Sequence, residues 1–295
     1  MVNDIDNNFL GLEEEFSNYD DSKVVIISAP YEHTVSYGGG TKNGPIEILN
    51  ASKFVEFYDE EFDNELCFNL KIATLPSLDF SKAKDELAIE LIRAEVSKHL
   101  ENDKFVVTLG GEHTISSAPI KSHLELYPNL SVLQFDAHSD LRDTYEGSKW
   151  SHASVMSRVS EFLNPSKITQ VGIRAQCKEE REFIKSNKIN TFYANEIKRG
   201  IHSENWQKSV VDTLDEEIYV TFDVDYFDPS IMPATGTPEP DGFLYHQTLE
   251  VFREIKRQGK RIVGFDVVEL APLENLSHPN ILTASLIYKL LNFSF

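Results

Sequence analysis

Residues 131–140 read SVLQFDAHSD, and no other stretch of the chain restricts the possible fold so tightly. Val132, Leu133 and Phe135 make a short apolar run suited to a strand buried on both faces. The run ends abruptly in Asp136, His138 and Asp140, which occupy every second position. In extended backbone successive side chains alternate, so these three would point to one side. Two carboxylates and an imidazole converging at the end of a buried strand are costly to desolvate without a cation. The competing reading is a solvated acidic loop, in a chain with 48 Asp and Glu.

The same pattern recurs. Residues 105–109 (FVVTL) run into Gly-Gly-Glu-His-Thr with His113, and residues 218–222 (IYVTF) run into Asp223 and Asp225. Further strands are expected at 23–29, 71–75, 168–173, 190–192 and 261–265. Helical spacing predicts helices over 45–54, 82–100, 152–162, 178–186, 204–214, 247–258 and 279–291. Strands alternating with helices, without internal repeat or linker, predict one α/β domain over 1–295 with a largely parallel sheet covered on both faces. The first 20 residues carry nothing diagnostic. Three glycines in the 30–40 loop suggest a backbone that other groups approach closely. The Pro/Gly/Thr-rich loop 230–242 reads as a structured active-site loop.

In parallel α/β sheets, sites form outside the carboxyl ends of the strands. Six candidate ligands would gather there: His113, Asp136, His138, Asp140, Asp223 and Asp225. Their four carboxylates match the charge of two divalent ions. The absence of sulfur and the excess of carboxylate over imidazole favour Mn²⁺ over Zn²⁺, and the imidazoles disfavour Mg²⁺. Such a pair of ions would supply a hydroxide nucleophile near neutral pH. His152 reads either as a proton shuttle or as an ordinary helix-terminal histidine. Glu269, just past the last strand, reads either as a substrate carboxylate or as half of a structural ion pair. Asp228 and Asp266 are expected to hydrogen-bond loops, and the remaining histidines to be structural. No Lys-Ser/Thr pair follows the glycine runs, so they do not form a phosphate-binding loop.

A net charge of −20, from 28 basic and 48 acidic residues, argues against nucleic acid and anionic membranes as partners. Only Cys67 and Cys177 occur, too few for a disulfide framework or a cysteine metal cluster. No apolar run approaches the roughly 20 residues of a membrane helix. The acidic N-terminus lacks the basic and apolar regions of a signal peptide, and a cytoplasmic location is expected.

The motifs GGEHT (110–114), FDAHSD (135–140), SHAS (151–154), DVDYFDP (223–229), TGTPEPDG (235–242) and GFDVVE (264–269), in this order, resemble those of the arginase/agmatinase ureohydrolases. The resemblance runs from roughly Ala29 to the C-terminus. It implies a three-layer α/β/α sandwich around a parallel eight-stranded sheet, two Mn²⁺ ions and a homo-oligomer, trimeric or hexameric. One ion would be held by His113, Asp136, Asp140 and Asp223. The other would be held by Asp136, His138, Asp223 and Asp225, with Asp136 and Asp223 bridging. His152 matches the second catalytic histidine, and Glu269 the carboxylate that holds the substrate guanidinium. Asp140 would pass a proton to the leaving amine. Arg142 stands where arginases use Asn to hold the amino-acid head group, and Ala175-Gln176-Cys177 lacks their acidic motif. LRDTYEG, SHAS and TGTPEP are similar to bacterial and archaeal agmatinases, so agmatine, cleaved to putrescine and urea, is the expected substrate and Arg142 a candidate substrate contact. Ala153 and Asp241 depart from the common pattern. Guanidinobutyrate, guanidine, arginine and formiminoglutamate remain alternatives within the family. Outside it stand a non-catalytic metal-bound assembly protein and a metallophosphatase, for which Arg142 is the only basic residue placed near the metals.

Overall fold

The structure, a computed structural model, describes residues 7–295. Its eight strands are β1 (Val24–Ala29), β2 (Ile72–Thr74), β3 (Phe105–Gly110), β4 (Ser131–Phe135), β5 (Ile168–Ile173), β6 (Asn190–Tyr193), β7 (Glu217–Asp223) and β8 (Arg261–Val268). All pair in parallel in one sheet of order β2-β1-β3-β8-β7-β4-β5-β6. The expected strands and the three-layer α/β/α sandwich are therefore present, since strands covered on both faces are apolar along most of their length.

The two faces separate by residue parity. Val24 and Ile26 pack with helices Gly44–Ser52, Trp206–Val211, Tyr245–Arg257 and His278–Ser294. Val25 and Ile27 face helices Glu86–Leu100 and Ser117–Leu126 on the opposite side. That opposite layer continues through Val155–Ser160 and Lys178–Asn187 around Val132 and Ile168. Among the described residues no helix is long and apolar enough to cross a membrane.

Several elements lie outside the sequence expectation. Helix Ser117–Leu126 is one, and its Pro119 sits in the first turn, where no intrahelical N–H donor is lost. The helix expected at 152–162 opens as a 3-10 turn, His152–Ser154, before the α-helix Val155–Ser160. Near the N-terminus, Phe9, Leu10 and Leu12 are buried beside the edge strand, and the Phe9 amide donates to Thr74 Oγ1 at 2.9 Å. Residues 1–6 of that expected extension lie outside the described residues.

Candidate metal centre

The register of the central strands brings the ligand residues together. Phe135 of β4 lies beside Phe222 of β7, so Asp136 and Asp223, one residue further along each strand, emerge as neighbours. Asp223 itself pairs with Val268 of β8, which places Glu269 at the next step of the same edge. His113 follows β3 in a 3-10 turn, His113–Ser116. Four adjacent strands, β3, β8, β7 and β4, thus deliver every predicted site residue except Arg142 and His152, which come from the segment after β4.

His113 Nδ1 lies 3.0 Å from Asp136 Oδ2, 3.0 Å from Asp140 Oδ2 and 3.3 Å from Asp223 Oδ2. It is nevertheless a buried atom with no hydrogen-bond partner, because the three oxygens converge on a point instead of lying along an N–H direction. His138 Nδ1 lies 2.8 Å from Asp225 Oδ2 and 3.7 Å from Asp136 Oδ1. Two groups with metal-ligand spacing result, His113-Asp136-Asp140 and Asp136-His138-Asp225, and they share Asp136. Backbone amides hold the carboxylates in place: His138 N donates to Asp136 at 2.6 Å, Ala137 N to Asp225 at 3.0 Å and Asp225 N to Asp223 at 2.8 Å.

The electrostatics give the same answer. Burial, reinforced by the charges of Asp140 and Asp225, pushes Asp136 up to about 7. Burial and the carboxylates of Asp225 and Asp136 raise Asp223 well above its usual range. Burial disfavours charge on His113 and His138, but the surrounding carboxylates outweigh it and raise both. Burial likewise opposes the Asp225 anion, yet His138 holds it down to about 2. A cluster that recruits protons in this way carries excess negative charge, and a divalent cation among the same oxygens would replace those protons. The residues fit a metal.

Behind the ligands, Asp266 accepts from Ser116 Oγ (2.9 Å), Thr221 Oγ1 (2.8 Å) and Tyr219 OH (2.8 Å). The sequence expectation placed Asp266 on loops; it instead anchors interior side chains. Because Thr221 spends its proton on Asp266, it accepts from His113 Nε2–H at 2.9 Å, which leaves Nδ1 as the atom available to a metal. Thr221→Val should weaken divalent-metal binding by about 10- to 100-fold, measured by competition with a metallochromic chelator. Unchanged affinity would show that this chain of bonds does not orient the imidazole. Asp228 behaves as expected and ties the 228–242 loop by accepting from Ser230 N and Gly242 N, both at 3.0 Å.

The cluster opens into a cleft of about 200 Å³. His138, Asp140, Asp223, Asp225, His152, Glu269 and Arg142 all line it, with Ser36, Tyr145, Ala153 and Thr237. Glu269 is buried, and its Oε1 accepts from the His113 backbone amide at 2.6 Å. Burial, aided by the nearby Glu112 carboxylate, raises its pKa well above the usual range, although that amide opposes the rise. A carboxylate in this state is primed for a cation. Arg142 lies 3.9 Å from Glu180 and over the Tyr145 ring, with 5.3 Å to the centroid. Asp140 and Glu269 both adopt left-handed backbone, with φ of 54° and 65°, strain of the kind that concentrates at functional sites. The glycine-rich loop does approach other backbone closely. A Cβ on Gly38 would lie 2.8 Å from the Gly236 carbonyl oxygen.

Three residues that sequence reasoning did not single out shape this region. Arg174 donates to six backbone carbonyls, those of Gly172, Asp225, Tyr226, Phe227, Glu239 and Pro240, and so clamps the turn bearing Asp225. Glu112 and Thr34 lie behind His152. The arginine follows β5 in sequence, but nothing local marks its acceptors.

Residues 22–292 match the family model described as the Arginase family. The chain is 37% identical to the N(1)-aminopropylagmatine ureohydrolase of Synechocystis sp. over 286 residues, covering 95% of this chain and 92% of that protein. It is 32% identical to the agmatinase of Bacillus cereus, over 91% and 90% of the two chains. Among solved structures, the agmatine ureohydrolase of Thermoplasma volcanium superposes with a TM-score of 0.84 at 29% identity, covering 98% of this chain and 94% of that one. A site gathered from the ends of four central strands is thus accompanied by likeness along nearly the whole sequence, and the chain belongs to the arginase family.

Proposed function

We propose that this chain is a ureohydrolase that cleaves the guanidino group of agmatine to give urea and putrescine. The observation that carries the reading is the orientation of Glu269. One of its oxygens is tied to the backbone of His113, and its carboxylate borders the same cleft as the ligand cluster. A guanidinium paired with this carboxylate presents its carbon toward the six ligand residues. Bound there, two divalent ions, which we read as Mn²⁺, would supply a hydroxide at neutral pH.

The protein's own groups would do the rest. Glu269 orients the guanidinium and neutralises its charge. Asp140, at the cleft wall, would carry a proton to the departing amine nitrogen as the carbon–nitrogen bond breaks, and His152 would exchange protons with solvent. Arg142, held beside Glu180 and Tyr145, would contact the distal part of the substrate. We read residues 1–295 as a single domain and the enzyme as cytoplasmic and homo-oligomeric, a trimer or hexamer, acting in polyamine biosynthesis.

A second substrate is favoured by one observation, the 37% identity to an N(1)-aminopropylagmatine ureohydrolase. Urea release measured across agmatine, N(1)-aminopropylagmatine, guanidinobutyrate, arginine and guanidine separates these readings. The expected result is Mn²⁺-dependent urea release from agmatine, lost on chelation and regained on adding the ion. Absence of urea from every guanidino compound in Mn²⁺-loaded protein would overturn the enzyme reading.

A further inference from the structure

His152, like Glu269, belongs to neither ligand group, and its imidazole is held by side chains outside them. Its Nδ1 lies 3.1 Å from Thr34 Oγ1, and its backbone amide donates to the same oxygen at 3.1 Å. The Thr34 hydroxyl has a single proton, and that proton goes to Glu112 Oε1 at 2.9 Å. Glu112 is fully buried and saturated by donors. Oε2 accepts from the backbone amides of His33 and Thr34, both at 2.7 Å, and Oε1 accepts also from Thr114 Oγ1 at 2.7 Å. Four donors converge on the two oxygens of this side chain, so Glu112 is the acceptor in its contact with Thr34.

The direction of each bond then follows. With its proton committed to Glu112, Thr34 can only accept from His152, so Nδ1 must carry hydrogen. In the neutral ring this leaves the lone pair on Nε2, which lies 3.5 Å from Ser36 Oγ at the cleft. The Tyr145 ring packs edge-on against the imidazole, with centroids 5.7 Å apart, and limits its rotation. The same arrangement holds His113, where Asp266 takes the proton of Thr221 and Thr221 accepts from Nε2.

We infer that Glu112 and Thr34 are positioning residues that fix His152 as its Nδ1–H tautomer and aim a proton-accepting Nε2 into the cleft. Neither residue lines that cleft, so their contribution is to the reactivity of His152 and not to substrate contact. As far as turnover is concerned, the inference rests on the ureohydrolase reading. The tautomer itself does not.

The test uses protein labelled with ¹⁵N in its histidine rings and loaded with diamagnetic Zn²⁺. Magic-angle-spinning spectra are compared with those of His152→Gln to isolate the His152 signals. We expect a protonated Nδ1 and an unprotonated Nε2 in the parent protein. Thr34→Val keeps the side-chain shape and removes the acceptor, so it should lose that pattern. With Mn²⁺ bound, its kcat should fall about 10- to 100-fold with little change in KM or metal content, and Thr34→Ser should restore both readouts. In Glu112→Gln the amide NH₂ would donate to Thr34, turning the hydroxyl toward His152 and moving the ring proton to Nε2.

An Nε2–H tautomer in the parent protein would overturn the inference, as would parent-like kcat in metal-loaded Thr34→Val. If no guanidino compound is hydrolysed, the function reading fails while the ¹⁵N spectra still decide whether Glu112 and Thr34 set the tautomer.

Discussion

Asp136→Asn is expected to remove metal and urea release together, with kcat falling by at least about a thousandfold, the effect of losing several kcal/mol of metal-derived stabilisation. Asp136 is the residue common to both candidate ligand groups, so its loss would disturb both positions and not one. Asparagine keeps the shape, and its single side-chain oxygen can still accept from His138 N, while its NH₂ group takes the place of the oxygen that accepts from Gln134 Nε2 at 2.7 Å. What it removes is charge. In the metal-free protein, burial and the Asp140 and Asp225 charges already press Asp136 toward its neutral form, so the loss of charge should offset the lost Gln134 bond and leave metal-free thermal stability little changed. A folded, stable variant that no longer gains melting temperature on adding Mn²⁺ would separate lost ligation from lost structure. Metal analysis and urea release on the same sample complete the test, and full activity would refute a bridging role for Asp136.

Glu269→Gln should have the complementary signature, with metal retained and substrate lost. The amide oxygen can still accept from His113 N, so the backbone that positions the imidazole is held as before. Removing one partner of a desolvated ion pair costs roughly 3–5 kcal/mol, equivalent to a fall in kcat/KM of about a hundred- to several-thousandfold. On the proposed reading, that pair would form only when substrate arrives. Among the described residues no salt bridge holds the buried carboxylate, and burial keeps its pKa well above the usual range. Steady-state kinetics with agmatine, beside metal content, decide the matter; near-normal kcat/KM would mean that another group binds the guanidinium.

The fold was largely legible because a parallel sheet covered on both faces requires apolar strands, and such runs are conspicuous in an acidic chain. The ligand residues were legible for a related reason: charged side chains directly after buried strands have few uses other than a site at that edge. The features without a sequence signal depend on contacts between distant segments. Glu112 stands beside a predicted ligand, yet its partners His33 and Thr34 lie 79 and 78 positions away. Arg174 resembles any surface arginine until the carbonyls of 225–227 and 239–240 are arranged around it. Helix Ser117–Leu126 was hidden by its proline, which only a known helix start makes innocuous. The left-handed backbone at Asp140 and Glu269 has no signal in residue type, since neither is glycine.

The strand order has a consequence for biosynthesis. β8 is the last strand to leave the ribosome, yet it lies between β3 and β7. Until it emerges, the nascent chain can form only two partial sheets, β2-β1-β3 and β7-β4-β5-β6, each with an unpaired edge where the other should be. His113 belongs to the first and the five aspartate and histidine ligands from 136 to 225 to the second. The two halves of the cluster meet only when β8 closes the gap, which makes completion of the His113-Asp136-Asp140 group a late event in maturation. The exposed edges of β3 and β7 are in the meantime templates for mispairing, so truncation before residue 261 should yield aggregation and not a smaller metal-binding protein.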